Sequence, residues 1–199
     1  MNENAENLAD EMIASKRPDV MVAPADMPSW ITNIIHAIDG MSVFVGNVVC
    51  WMTLPLMIGM FWEVFSRYVF MAPTVWAYDI SRMLYGAMFV LGASYALRKG
   101  IHIRSDFLYR SWPVKTQALV DLVMYFVLFI PSMVIFLWAS SGWAYESIVR
   151  MERGTDTTWM PYLGFIKVSL PIGVLFLLIQ GISEILKALY AYKNERWPE

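Results

Sequence analysis

Two pairs of oppositely charged residues stand at helical spacing within an otherwise apolar part of the sequence. Glu63 precedes Arg67 by four residues, and Asp79 precedes Arg82 by three. A carboxylate and a guanidinium at these spacings share one face of a helix and can form an ion pair. Such pairs are typical of helix ends at a membrane interface, and the alternative is a polar cluster that faces a partner subunit. An unpaired Arg at the centre of a membrane helix costs about 2.5–3.5 kcal/mol, so Arg82 should either extend outward to the interface or form an ion pair. We favour a pair with Asp79, with Glu63 or with a group on another chain.

A third pair, His102 and Asp106, is also separated by four residues and follows Arg98 in a basic stretch. An imidazole and a carboxylate could form a metal or proton site, but zinc usually requires three or four ligands. We therefore interpret this pair as a hydrogen bond that orders a loop, and we predict no metal site.

The sequence holds few side chains for other chemistry. It has one cysteine, Cys50, and one further histidine, His36. The single cysteine excludes a disulfide within the chain and a multi-cysteine metal centre. His36 and His102 fall in different segments on the predicted cytoplasmic side, so they cannot be the two membrane-embedded ligands of a haem. No glycine-rich phosphate loop and no Ser-His-Asp set is apparent. We predict no catalytic residue, no substrate-binding residue and no cofactor.

The composition indicates which kind of element positions these residues. Of the 199 residues, 58% are apolar and 16% are charged, and the mean hydropathy is +0.48. The 15 basic and 17 acidic residues give a net charge of -2, which excludes a dispersed basic surface for nucleic acid, so no nucleic-acid partner is expected. A composition this apolar is typical of a protein that folds in lipid.

Four segments are long and apolar enough to cross a membrane, at about 40–65, 76–98, 120–145 and 162–187. Gly40–Trp62 has no charged residue over 23 positions, and Leu122–Tyr145 has none over 24. At about 1.5 Å per residue, 23 residues extend over about 34 Å, more than the thickness of a hydrocarbon core. Because lipid cannot hydrogen-bond a backbone, continuous apolar spans must be helical. We predict an all-α integral membrane protein with four transmembrane helices.

The distribution of Lys and Arg predicts the orientation of the chain. Basic residues are most frequent in the second loop, at about 98–118, and also occur near both ends of the chain. By the positive-inside rule, both termini and the second loop lie in the cytoplasm. Short amphipathic stretches at 29–39 and 103–118 are expected to lie at the membrane surface, where basic side chains can hold anionic lipid head groups.

The chain divides into three zones by composition. Residues 1–27 are acidic and interrupted by proline, so we expect a mobile cytoplasmic arm rather than a signal peptide. Residues 28–190 form the four-helix membrane domain, and residues 191–199 form a cytoplasmic tail.

Aromatic and small residues near the second span indicate how it is placed. Trp62 and Trp76 belong to a set of tryptophans near predicted interfaces, which is the aromatic belt of membrane proteins. Gly92, Ala93 and Ala96 form a small-residue face, and such faces let membrane helices approach closely. We interpret this face as a contact within the chain.

The order of these motifs resembles the small membrane subunit of tripartite ATP-independent periplasmic (TRAP) transporters. The matching motifs are Arg67-Tyr68-Val69-Phe70, Trp76-x-x-Asp79-x-x-Arg82, Gly92-Ala93 and Ala96-Leu97-Arg98-x-Gly100-x-His102-Ile103-x-x-Asp106. The resemblance extends over about residues 40–190. Asp79 stands where the family more often has Glu, and the N-terminal arm is longer than the family needs.

The resemblance implies a three-protein uptake system in the bacterial cytoplasmic (inner) membrane. Its parts are a periplasmic substrate-binding protein, a large membrane subunit that holds the sodium and substrate sites, and this chain as a non-catalytic scaffold. The implied transport is the sodium-coupled uptake of organic acids. Carried over by position, the subunit-interface or fold-defining residues would be Trp62, Glu63, Arg67, Trp76, Asp79, Arg82, Gly92, Arg98, His102 and Asp106.

Two functions of other classes stay open at this point. One is a self-sufficient, homo-oligomeric transporter or channel with Glu63 as its coupling residue, although Glu63 lies at a helix end rather than at the membrane centre. The other is a membrane enzyme or redox subunit, against which the single cysteine and the two separated histidines argue.

Overall fold

Four long helices make up most of the chain in the computed structural model, which describes residue 24 and residues 27–100 and 112–198. They are α1 (Ser29–Val69), α2 (Ala77–Arg98), α3 (Val114–Val149) and α4 (Gly164–Asn194), and each is long and apolar enough to cross a membrane. Each predicted span coincides with one helix, so the predicted all-α membrane fold is confirmed.

Two sets of expectations lie outside the described residues. These are the arm at 1–27, of which only residues 24 and 27 are described, and the pair His102 and Asp106. Of the predicted surface segment at 103–118, residues 112–118 are described, and Val114 already begins α3.

Helix α1 is much longer than the membrane is thick. Its 41 residues extend over about 61 Å, against a hydrocarbon core of about 30 Å. The segment 29–39, expected to lie along the membrane surface, is not a separate element but the first turns of α1. The helix continues through Gly40 and meets no proline before Pro55, and Ile35 is fully buried against Met27 and Tyr190.

A widened turn interrupts α3 just before a proline. Residues Tyr125–Phe129 form one π-helical turn, and the N–H of Ile130 bonds to the carbonyl of Tyr125, five residues earlier. Pro131 has no N–H to donate, and its ring would collide with a carbonyl in the preceding turn of a regular helix. The π turn shifts the hydrogen-bond register at this point, which is one of the ways that membrane helices accommodate proline.

Helix α4 is the centre of the bundle. It contacts α2, α3 and α1, while α2 also packs along α1, and α3 packs mainly on α4. The closest approach is at Gly173, where an added Cβ would lie 2.9 Å from the backbone carbonyl of Val90 on α2. Gly46 on α1 makes a similar approach to the ring of Tyr95. The predicted close contact at Gly92 is weaker, because a Cβ there would meet Val49 at an ordinary 3.6 Å.

The antiparallel order of the helices creates two different ends. The loop end holds the α1–α2 connection (70–76) and the α3–α4 connection (150–163). The termini end holds the first turns of α1 and α3 and the last turns of α2 and α4. The ion-paired and buried charged side chains described below lie at these two ends, on either side of the apolar middle.

Candidate functional site

At the loop end, Glu63 holds the connection between α1 and α2. Its carboxylate accepts a hydrogen bond from the backbone N–H of Thr74 at 2.9 Å and another from the Thr74 hydroxyl. The same carboxylate accepts from Arg67 Nε at 3.1 Å, so the predicted ion pair between Glu63 and Arg67 is confirmed. Ser66 closes the connection from the other side by donating its hydroxyl to the carbonyl of Ala72 at 2.7 Å.

The second predicted pair is also present, and it recruits the distant α3–α4 connection. Arg82 Nη2 lies 3.5 Å from Asp79 Oδ1, and Arg82 Nη1 donates to Asp156. Asp79 is fully buried and accepts a second hydrogen bond from the hydroxyl of Thr157. Arg82 also lies over the ring of Tyr78, 5.7 Å from its centroid. Arg82 therefore finds its partners within the chain, including one in a loop that local spacing does not indicate.

A third ion pair fixes the same connection to α4. Lys167 donates to Glu152, and its ammonium lies 4.2 Å from the ring centroid of Trp143 on α3. The hydrogen bond from Lys167 lowers the pKa of the Glu152 carboxyl below its ordinary value of 4.5. The connection itself is a tight hairpin, in which the N–H of Gly154 bonds to the carbonyl of Pro161 at 2.8 Å. These links hold the α3–α4 connection against α2 and α4.

At the termini end, a buried polar network joins α1 and α4. Asp39 on α1 is 4% exposed, and one of its oxygens accepts from Gln180 Nε2 at 3.0 Å and from the Ser183 hydroxyl at 2.8 Å. Its other oxygen accepts from Lys187 Nζ at 2.8 Å. The hydroxyl of Ser42, one turn further along α1, donates to Gln180 Oε1 at 2.6 Å.

Two further charges complete this termini-end network. Glu184 Oε1 accepts from Lys187 Nζ at 2.9 Å, and Arg98 Nε at the end of α2 lies 3.5 Å from Asp39 Oδ2. Two carboxylates thus face two cations, and all four side chains are almost fully buried. Buried charges are tolerated only when they are paired in this way.

Sequence reasoning missed most of this network, although a signal was present. Gln180, Ser183, Glu184 and Lys187 are spaced three, one and three residues apart, which places them on one face of a helix. A polar stripe at that spacing in an apolar membrane helix indicates a buried polar contact. Asp39 directly precedes the first charge-free run, Gly40–Trp62, and is therefore a candidate partner for the polar residues of this stripe. Only Arg98 of this network was among the predicted site residues.

The remaining predicted residues take no part in the polar contacts at the loop end or in the network at the termini end. Trp76 directly precedes α2 and is half-buried, and Trp62 is 47% exposed on the outer surface of α1. Gly92 lies in the α2 interior at an ordinary distance from α1. Among the described residues, no three His, Cys, Asp or Glu side chains are grouped so that they could hold a metal ion.

The polar contacts at the loop end and the network at the termini end are both suited to holding helices together. The buried carboxylates of Asp39 and Asp79 each accept from a distant part of the chain, whereas Glu184 pairs with Lys187 on the same helix. The apolar middle separates the two ends. Together with four membrane-length helices, this arrangement defines a multi-pass integral membrane protein whose polar groups join its own helices and loops.

Comparison with known proteins identifies the family. Residues 56–190 match the family described as "Tripartite ATP-independent periplasmic transporters, DctQ component". A relative from Vibrio cholerae, named "Sialic acid TRAP transporter small permease protein SiaQ", is 23% identical over 146 residues, which cover 71% of this chain and 81% of the relative. The chain belongs to the DctQ-component family and is a TRAP transporter subunit of the bacterial inner membrane. The family implies association with a large membrane subunit and a binding protein.

Proposed function

We propose that this chain is a non-catalytic scaffold subunit that braces the large membrane subunit of a sodium-coupled TRAP uptake system for organic acids. The periplasmic binding protein delivers the substrate, the large subunit carries it, and this chain widens the stationary part of the complex. In this proposal the chain has no substrate site and no sodium site of its own.

One observation carries the proposal: the buried ionic groups at both ends are paired with other residues of this chain. At the termini end, Asp39 and Glu184 balance Arg98 and Lys187. At the loop end, buried Asp79 is held by Thr157 and Arg82. A transporter that moves ions needs ionisable groups along a path through the membrane. In the described part of the chain, the buried ionic groups lie at the two ends and are engaged with the chain's own residues.

The family and the named relative support an organic acid as the transported substrate. The Vibrio cholerae protein is named for sialic acid, which is a carboxylic acid. We extend only the class, an organic acid, to the system that contains this chain. Sodium coupling is likewise taken from the resemblance to the family.

The proposed roles of the predicted residues follow from their surroundings. Glu63, Asp79, Arg82 and Arg98 are fold-defining, because their contacts join different helices or close a loop. Arg67 has the same role through Glu63, whose carboxylate it holds. In the proposal, Trp62 on the exposed side of α1, Trp76 and Gly92 support the same helices. His102 and Asp106 keep the role of ordering the second loop on the cytoplasmic side, where both termini also lie and basic residues contact anionic lipid head groups.

Reconstitution of the system from its parts tests the proposal. The large subunit, this chain and the binding protein are placed in liposomes, and uptake is measured for an organic acid that stabilises the binding protein in a thermal-shift screen. We expect uptake driven by an inward sodium gradient only when all three proteins are present. Co-purification of this chain with the large subunit in detergent is expected in parallel.

Two results would contradict the proposal in different ways. Sodium-driven uptake by this chain alone would establish the homo-oligomeric transporter, and its loss in Glu63→Gln would identify the coupling residue. Full uptake by the large subunit without this chain would remove the bracing role. Glu146→Gln, which alters an exposed carboxylate at the end of α3, is the matched control for the Glu63 substitution.

A further inference from the structure

Asn47 is a polar side chain at lipid depth that has no hydrogen-bond partner among the residues that the structure describes. It lies inside the charge-free run Gly40–Trp62, eight residues and therefore about 12 Å beyond Asp39 along α1. Its side chain is exposed and makes no hydrogen bond to any described residue. An amide offers two donors and an acceptor, and hydrocarbon satisfies none of them.

Asn47 stands within a continuous exposed stripe on α1. The amide stripe consists of Gly40, Phe44, Asn47, Trp51, Leu54 and Ile58, all of them exposed. Their spacing alternates between four and three residues, which is the pattern of a seam between two helices that cross at a small angle. Phe44 and Trp51 are each 69% exposed, and an added Cβ on Gly40 would meet nothing within 4 Å.

Lipid is a poor occupant for the amide stripe. Among the described exposed side chains of α1 between Gly40 and Trp62, Asn47 is the one that carries an amide, and its neighbours on the stripe are apolar. A transmembrane helix with a polar side chain would satisfy the amide, and hydrogen bonds of this kind contribute to the association of membrane helices.

A second copy of the chain fits the stripe badly. In a symmetric pair, each residue near the axis meets its own copy at the same depth. Phe44 and Trp51 flank Asn47 by three and four residues, so paired large rings would hold the two helices apart on both sides of the amide. A different helix, with small residues opposite these rings, can approach closely enough for Asn47 to reach it.

We propose that the amide stripe binds a transmembrane helix of the large membrane subunit. That helix carries a polar side chain opposite Asn47 and small residues opposite Phe44 and Trp51. The proposal rests on the proposed function and adds to it the surface through which the chain contacts its partner.

Substitution on the stripe tests the proposal. Asn47→Leu and Trp51→Ala are each expected to lower the amount of large subunit that co-purifies with the tagged chain by about threefold to tenfold. Trp138→Ala is the matched control, because Trp138 is 80% exposed on α3, and it should leave co-purification unchanged. Asn47→Leu should leave the melting temperature of the isolated chain unchanged, since Asn47 makes no hydrogen bond to the described part of the chain. Normal co-purification of Asn47→Leu and Trp51→Ala would overturn the proposal.

Photo-crosslinking distinguishes the possible occupants. With p-benzoylphenylalanine in place of Trp51, illumination of the co-expressed complex should give an adduct with the large subunit, whereas the same probe in place of Trp138 should not. An adduct of twice the chain's mass of 22.9 kDa would assign the stripe to a second copy. A complex that co-purifies but gives no adduct at position 51 would reject this surface and leave the proposed function intact. Failure of the two subunits to co-purify at all would overturn the proposed function itself.

Discussion

Lys187 illustrates how one buried charge joins distant parts of the sequence. It is separated from Asp39 by 148 residues, yet its ammonium donates to that carboxylate and also to Glu184. Removing one member of a buried ionic group leaves its counterpart without compensation, which is more harmful than replacing the whole group by apolar residues. The termini-end network therefore stabilises the fold only as a complete set.

Lys187→Met is expected to destabilise the isolated chain by about 3–5 kcal/mol. The substitution roughly keeps the length of the side chain, but it removes the ammonium that pairs with both Asp39 and Glu184. Arg98 then remains as a cation paired with Asp39. The melting temperature in detergent measures the effect. Lys193→Met, which alters an exposed lysine on the same helix, is the control and should change little. Equal melting temperatures for the two variants would contradict the importance of the network.

Glu152 provides a test of pH dependence at the loop end. Lys167 lowers the pKa of this carboxyl, so the folded state favours the ionised form. The resulting stability is fully present above the ordinary pKa of 4.5 and is lost as the pH falls through the lowered pKa.

The difference in melting temperature between the natural chain and Glu152→Gln should therefore be constant from pH 7 down to about pH 5 and shrink at lower pH. A thermal-shift series in a pH-tolerant detergent measures this difference. Glu146→Gln, at an exposed ion pair with Arg150, is the control and should show a small effect throughout. If the difference in melting temperature grew as the pH fell, the pKa of Glu152 would not be lowered in the folded state.

At the scale of the helices, the contact between α2 and α4 depends on the absence of a side chain at Gly173. A Cβ there would collide with Val90 Cγ1 and lie 2.9 Å from the Val90 backbone. A backbone cannot rotate away as a side chain can, so the two helices must separate. Small residues serve this purpose at close crossings of membrane helices.

Gly173→Ala is expected to destabilise the chain by about 1–3 kcal/mol, as overpacking does in well-packed interiors. The gain in helix propensity from Gly to Ala, about 1 kcal/mol in water, offsets part of this loss. Gly92→Ala is the control, since its Cβ would make an ordinary contact with Val49, and it should be neutral or slightly stabilising. The melting temperatures of Gly173→Ala and Gly92→Ala in detergent are compared. Equal melting temperatures would show that α2 and α4 can move apart at Gly173 without a loss of stability.

At the scale of the whole molecule, the two ends are tied differently. The loop end is closed by contacts between loops and helices, and the termini end is closed by contacts between helices. Lys115 and Gln117 near the start of α3 also contact the last residues of the chain, Glu195 and Trp197. The bundle is therefore anchored at both ends, while the outer faces of α1 and α3 stay open to lipid or to a partner.

Deletion of residues 1–23 should leave uptake by the reconstituted system unchanged. The deletion spares Met27, which packs against Ile35 and Tyr190, and removes an acidic stretch that lies outside the residues matched to the family. Initial rates of sodium-driven uptake compare the deletion with the full chain. A deletion that assembled normally but did not transport would give the arm a function, and deletion through Met27 serves as the destabilised control.

The local ion pairs could be predicted from sequence because a helix fixes the geometry of residues three or four apart. Glu63 with Arg67 and Asp79 with Arg82 are of this kind, and both are present. The partners contributed by loops could not be predicted. Thr157 and Asp156 are 78 and 74 residues from the side chains they contact, and no periodicity relates a loop residue to a helix that precedes it.

The sequence by itself determined the four spans, the helical class and the family, because hydrocarbon requires long apolar runs and satisfied backbone groups whatever the packing. Only the tertiary structure decided that Asp39 meets Lys187, that Gly173 rather than Gly92 is the tight crossing, and that Asn47 is left exposed. These depend on the rotation of each helix about its axis, which is set by the packing of side chains from several helices at once.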